Sequence, residues 1–233
     1  VGDPDRLDYL SQLANNTAYM LAVEKLCGIQ APPRAQYIRT IGVEMARVAS
    51  HLVGVGTWAL DIGAMTVFFL TFREREIAYN IFEALTGARM MTSFTRPGGI
   101  AFDMTPEIAQ MIREFLAYMP DKIDEYEDLL TKNRIWLERT KGVGVITADQ
   151  AIALSLTGPS LRGSGVNWDL RKNTPYMVYD RFDFEVPVGT VGDVYDRYLV
   201  RMEDMRQSLR ISRQALDGLP AGPIQVADHK VSL

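Results

Sequence analysis

Between residues 34 and 61, apolar side chains fall at Ile38, Ile41, Met45, Val48, Leu52, Val55 and Ala59. The alternation of three and four positions predicts one helix with a core-facing seam. A second strip runs beside the seam. Glu44, Arg47, His51 and, if the helix survives Gly54 and Gly56, Asp61 share an arc of roughly 100°. A core helix with four ionisable groups on its flank either meets water there or lines a polar chamber.

The same pattern organises the rest of the chain. Asp3-Pro4 reads as a cap followed by a first-turn proline, opening a helix to about residue 26. Leu10, Leu13, Thr17, Ala18 and Leu21 share one face of it, with Tyr9 alongside. Gly28 and Pro32-Pro33 separate it from the central helix. Beyond a corner at Gly63, a third helix spans 67–85, burying Phe68, Phe72, Ile81, Phe82 and Leu85 and closing at Gly87. Arg73-Glu74-Arg75-Glu76 interrupts its pattern as a solvated or subunit-facing turn. Arg96-Pro97-Gly98-Gly99 marks a turn within the loop 89–104.

Thr105-Pro106-Glu107 starts another helix, with Ile108, Met111, Ile112, Phe115 and Met119 along its stripe. Pro120 kinks or ends it, and Ile123, Tyr126, Leu129 and Leu130 continue the stripe to about 141. A connector or short strand at 142–146 and a brief helix at 148–156 follow. Residues 158–191 form an irregular arm rich in glycine and serine, carrying Trp168, Arg162, Arg171 and Lys172. Within it, 179–188 alternates as an edge strand would. A last helix, 193–216, carries Tyr195, Leu199, Met202, Met205, Leu209 and Ile211, and an exposed tail ends the chain. The expected fold is mainly α: one domain over 1–233, a bundle of long helices with little β-structure.

Residues 53–72 hold a single charge, Asp61, and are long enough to cross a bilayer. A central carboxylate costs about 3 kcal/mol on insertion, and Gly54, Gly56 and Gly63 break the run, so two buried helices meeting at a corner are expected instead. Asp61 in such an apolar run then needs a partner or a raised pKa. Taken alone, Tyr9 is an ordinary core tyrosine and His51 an interior histidine near Arg47. The methionines are core filler.

Composition narrows the chemistry. The net charge of −4 argues against nucleic-acid affinity. Cys27 is the only cysteine, and His51 and His229 the only histidines, so this chain holds neither a disulfide, an iron–sulfur cluster nor a histidine-rich metal site. No GxGxxG or Walker A segment, no Glu-x-x-His pair and no Ser–His–Asp set stands out. The opening residues VGDPDRLDY lack the basic and apolar regions of a signal peptide.

DRLDY, AVEKL, PPRAQYIR, LDIGAMT, FREREI, TRPGG, RGSGVNWDLRK and DRYLVRMEDMRQSLRI occur in that order and cover nearly the whole chain. In this ordered set the chain resembles the D subunit, or 49-kDa type, of respiratory complex I, a family related to nickel–iron hydrogenase large subunits. Family chains extend past both ends of this sequence. The resemblance implies a peripheral subunit on the cytoplasmic or matrix face of an energy-transducing membrane. It implies docking to the subunit that carries the terminal iron–sulfur cluster, among other peripheral-arm and membrane-arm subunits, with a quinone chamber enclosed between the two. It implies no cofactor bound by this chain, with quinone as substrate, and no nucleic-acid partner.

It also implies roles. Tyr9 hydrogen-bonds one quinone carbonyl. Asp61 pairs with a histidine, from a hairpin outside this sequence, that binds the other. Thr57 lines the same wall, and Arg6 faces the cluster. Met91 stands where many relatives have a histidine beside that cluster, and Val67 replaces a usual proline after the corner. The alternatives are a scaffold without quinone or a hydrogenase-like large subunit, which needs cysteine pairs.

Overall fold

The computed structural model describes residues 4–227. The seam predicted for the central helix is realised in α2 (Pro33–Asp61): all seven of its apolar residues are buried. Around α2 pack α1 (Gln12–Cys27), α3 (Met65–Thr86) and α9 (Val194–Asp217), while α4 (Pro106–Leu130) lies against α3 and α9. The bundle is completed by α5 (Arg134–Thr140), α6 (Ala148–Ala153), α7 (Gly158–Arg162) and α8 (Leu170–Asn173). The one sheet among the described residues is a hairpin of β1 (Thr95–Arg96) and β2 (Gly99–Ile100) turning at Pro97-Gly98. The fold is mainly α, and no helix among the described residues is long and apolar enough to cross a membrane.

Neither Gly54 nor Gly56 breaks α2. Gly56 instead lets α3 come close, because a β-carbon there would collide with Thr71 Oγ1. Gly63 turns the corner at φ +98°, and Gly87 caps α3 at φ +81°. The extended run at 53–72 is therefore two helices, as expected. Helix α3 begins at Met65 and runs without a break. The expected interruption at 73–76 is absent. Glu74 is fully buried, bonded to Arg73 and to the hydroxyl of Tyr118 on α4, and Arg75 is buried too. Ile81, Phe82 and Leu85 are in the core, but Phe68 and Phe72 are only half-buried.

The first helix starts later than expected. Pro4–Arg6 is a 3-10 turn, and α1 begins at Gln12; Asp3 lies outside the described residues. Polar side chains compete with the helix here. Asp5 accepts the Ser93 amide at 2.8 Å, Asp8 accepts the Leu10 amide, and Gln12 donates to the Tyr9 carbonyl. The inward face of α1 is also more polar than its apolar residues suggest. Gln12, Asn16 and Glu24 are buried with Leu13, Thr17 and Met20, whereas Ala18 is exposed and Leu21 half-buried. Glu24 anchors the hairpin through Arg39, whose guanidinium also donates to the carbonyls of Arg96 and Gly99.

Helix α4 continues through Pro120. A proline lacks the amide that would bond the carbonyl four residues earlier. Arg213 of α9 donates to that carbonyl, on Leu116, at 3.0 Å. The helix instead ends at Leu130, and Asn133 caps the separate α5. Residues 142–146 are a connector, tied at Ile146 to Gly192.

The strand expected at 179–188 is also absent. Tyr179–Arg181 is a 3-10 turn, and beyond it the chain is extended with Phe182 and Phe184 buried. No neighbouring strand among the described residues pairs with it. The amides of Asp183 and Glu185 bond to Gln214 and Gln207 of α9. The tail is less free than expected, since Ile224 and Val226 bond to the hairpin backbone. His229 lies outside the described residues.

Substituting Gly56→Ala should lower stability by about 1–3 kcal/mol through overpacking. Adding Thr71→Ala should recover most of that loss, read by urea unfolding of the single and double variants.

Candidate functional site

The side chains singled out in the sequence fall into two groups. At one end, Asp61 is the last residue of α2 and Thr57 lies one turn before it; both are exposed. Thr57 Oγ1 donates to the Val53 carbonyl at 2.8 Å. The expectation that Asp61 is enclosed within this chain does not hold, because α2 runs intact to its end and delivers the carboxylate to the surface. A negative side chain at a helix C-terminus is disfavoured by the helix dipole, by about 0.3–1 kcal/mol, and no basic residue occupies the last turn to offset it. Beside this corner lies an open, mainly apolar groove of about 300 Å³ lined by Ile62, Val67, Leu129 and Ile135.

At the other end, Arg6 and Tyr9 are exposed in the segment before α1. Half-buried Met91, held at φ +55°, lies two residues from the Ser93 amide that Asp5 accepts, so Arg6 and Met91 reach the same edge. Burial raises the pKa of Asp5, with the Ser93 hydrogen bond working against it. Tyr9 lies within electrostatic reach of Tyr79 on α3. From Met65 to Tyr79 the helix advances about 21 Å. No hydrogen bond or ion pair among the described residues joins Tyr9 to Asp61.

The flank of α2 faces an internal charged cluster that sequence reasoning only half found. Glu44 receives Tyr179 Oη at 2.5 Å, Arg171 at 3.0 Å and Arg47 at 3.3 Å. Arg171 also binds Asp169 at 2.7 Å, and Arg162 joins Asp169 to Asp204. His51 Nε2 sits 3.6 Å from Asp204, so its partner is on α9 and not on its own helix. Burial would raise the pKa of Glu44, but Arg47 and Arg171 outweigh it and hold the carboxyl below its ordinary value. Asp169 and Asp204 are likewise held low against burial, Asp169 by Arg171 and Asp204 by His51 and Arg162. For His51 burial wins over Asp204, and its pKa falls. The basic residues of an otherwise glycine- and serine-rich arm were a visible signal for Arg162 and Arg171; nothing marked Asp204 among the other acids of α9.

Known proteins place the chain. Residues 61–233 match the family model described as respiratory-chain NADH dehydrogenase, 49 Kd subunit. The chain belongs to this family. Relatives agree over almost all of its length. The NADH-quinone oxidoreductase D subunit of Methylacidiphilum infernorum is 55% identical over 226 residues, covering 97% of this chain and 54% of the relative. A D subunit of the same enzyme in Roseiflexus castenholzii is 54% identical, covering 98% of this chain and 55% of the relative. That of Burkholderia lata is 48% identical, covering 98% and 61%. The chain thus spans little more than half the length of these relatives. As a 49-kDa-type chain it carries its buried charge cluster across α2, the arm and α9, all within the part shared with them.

The cluster sets the response to acid. Because its pKa is lowered in the fold, His51 binds a proton less readily folded than unfolded, so stability falls as pH drops below its ordinary value of 6.5. A second loss follows below about pH 4, as protonation overtakes Glu44, Asp169 and Asp204. His51→Gln should remove the first limb and keep the second, read by urea unfolding at successive pH values. Arg171→Met should cost about 3–5 kcal/mol at neutral pH, because it strands buried carboxylates.

Proposed function

We propose that this chain forms one wall of the quinone-reduction site of an NADH:quinone oxidoreductase of the complex I type. The observation that carries the reading is Asp61, an exposed carboxylate set against the dipole at the end of an otherwise buried helix, with exposed Thr57 one turn behind. Residues that cost the isolated chain stability are retained for what they bind. Family membership, and relatives named as D subunits of NADH-quinone oxidoreductase, support quinone as what is bound there.

Quinone takes two electrons, one at a time, from the terminal iron–sulfur cluster of a neighbouring subunit, and two protons, becoming quinol. Negative charge that develops on its oxygens is stabilised and neutralised by donors already in place. Tyr9 donates to one oxygen. Asp61 holds a histidine at the other through a carboxylate–imidazole pair, the histidine coming from a segment that family chains carry outside this sequence. Thr57 lines the wall beside Asp61. Arg6 lies on the cluster side with Met91, where positive charge favours the reduced cluster. The chain itself sits peripherally, against the membrane arm.

In the assembled enzyme, Tyr9→Phe and Asp61→Asn should each lower quinone reductase turnover by roughly 100-fold, the scale of a lost proton donor. Reduction of artificial acceptors by NADH should persist. Wild-type quinone turnover in both variants would leave the chain a scaffold. With Met91 in place of a titrating histidine, the terminal cluster's potential should vary little with pH. Met91→His should introduce a slope approaching about 59 mV per pH unit, measured by redox titration.

A further inference from the structure

Among the described residues each buried arginine but one is held by carboxylates or by carbonyl and hydroxyl oxygens. Arg39 pairs with Glu24, Arg162 with Asp169 and Asp204, and Arg171 with Glu44 and Asp169. Arg197 is held by two backbone carbonyls and Ser164. Arg75, midway along α3, is only 8% exposed, yet no carboxylate among the described residues reaches it and its Nε has no hydrogen-bond partner. Its guanidinium lies over the ring of Tyr79 at 4.3 Å and near that of Phe72 at 5.5 Å. Arg89 approaches the same Tyr79 ring at 5.7 Å, but it is paired with Glu76 and Glu83 at the surface. A buried cation without a counter-charge is expensive.

Three observations connect Arg75 to Tyr9. Arg75 and Tyr79 are one turn apart on the same face of α3. Tyr79, buried and with no well-formed hydrogen bond at its hydroxyl, lies within electrostatic reach of both Tyr9 and Arg75. Gln12, also buried, fixes the Tyr9 backbone by donating to its carbonyl at 2.5 Å, and stands beside Tyr79. Arg75 thus meets Tyr79 on its own helix, and Tyr79 in turn lies within electrostatic reach of Tyr9 before α1 and near Arg89 after α3.

We propose that Arg75 is a positioning residue of the quinone-reduction site, its fixed positive charge stabilising the negative charge that gathers on the quinone oxygen beside Tyr9. The inference rests on the quinone reading above. Arg75 gives up no proton and no electron. The two electrons come from the iron–sulfur donor of the neighbouring subunit, one proton comes from the Tyr9 hydroxyl, which is then reprotonated from solvent, and the second proton arrives at the other oxygen. Without the charge at Arg75, electron arrival at the quinone is less favourable and turnover falls while binding is largely kept.

The test uses the assembled enzyme in membranes, with Arg75→Gln, Arg75→Lys and Tyr9→Phe compared by quinone turnover and by NADH oxidation with an artificial acceptor. Arg75→Gln should lower kcat for quinone at least about 10-fold with KM changed by less than about 3-fold, the pattern of an interaction made mainly in the transition state. Arg75→Lys decides the matter even if the glutamine variant does not assemble. A buried, unpaired lysine titrates below its ordinary range, whereas arginine stays charged. The lysine variant should therefore work near wild-type rate at neutral pH and lose quinone turnover at alkaline pH where the wild type keeps it, with acceptor activity unchanged. A lysine variant whose quinone profile matches the wild type overturns the proposal; so does one whose acceptor activity falls in parallel. An acidic side chain of a partner subunit seated on Arg75 would give the first of those outcomes, because the lysine would then keep its charge. Impaired Tyr9→Phe with an unaltered lysine profile defeats this inference alone, while unimpaired Tyr9→Phe defeats the quinone reading beneath it.

Discussion

Glu44 carries the weight of the architecture. It is a fully buried carboxylate in the middle of the central helix, and it is tolerable there only because Arg47, Arg171 and Tyr179 all point at it. A lone charge in that position would be far too costly to retain. Through Arg171 the same ion reaches Asp169, and through Arg162 it reaches Asp204 of α9. The arm, whose Val178, Tyr179, Phe182 and Phe184 join the hydrophobic core, is thereby also fastened to two long helices by charge. Its backbone follows: the extended stretch after Tyr179 takes its hydrogen bonds from the glutamines of α9 because no strand is near enough to supply them.

This arrangement divides the chain into a packed middle and two exposed edges. The middle is α2, α3 and α9, with the glycine contact at Gly56 and Thr71 setting how closely α2 and α3 cross. The edges are the corner at Asp61 and the segment around Tyr9, one at each end of the first part of α3. Groups placed on stiff elements keep their spacing when a partner docks, which is what a site shared between subunits requires.

Long elements were legible in the sequence because burial there follows a simple period. The seam of α2, the glycine stop of α3, the capped start of α4 and the span of α9 all follow from it. What was not legible depended on partners far away in the chain. Alternation at Phe182 and Phe184 marks a half-buried extended backbone whether or not another strand lies beside it. The proline in α4 looks like a breaker until Arg213 supplies the missing donor. Charged residues at 73–76 look solvated until Glu74 meets Tyr118. The site was read in the same uneven way. Asp61 stood out as a lone carboxylate in an apolar run and Tyr9 came from resemblance to a family, and only the structure revealed that both are open to the surface. Asp204 and Arg75 are one acid and one base among many, and only their surroundings single them out.

The span between Glu44 and its partners has a bearing on biosynthesis. Arg171 is 127 positions away and Tyr179 is 135. While the ribosome is still working through that interval, α3 can pack on α2 at Gly56 and Thr71, but the groups that cover Glu44 lie in the arm and α9 and are not yet made. Nascent chain emerging first must therefore stay hydrated along this flank and wait for the arm, so that final collapse of the bundle is a late event tied to translation of the last third of the sequence.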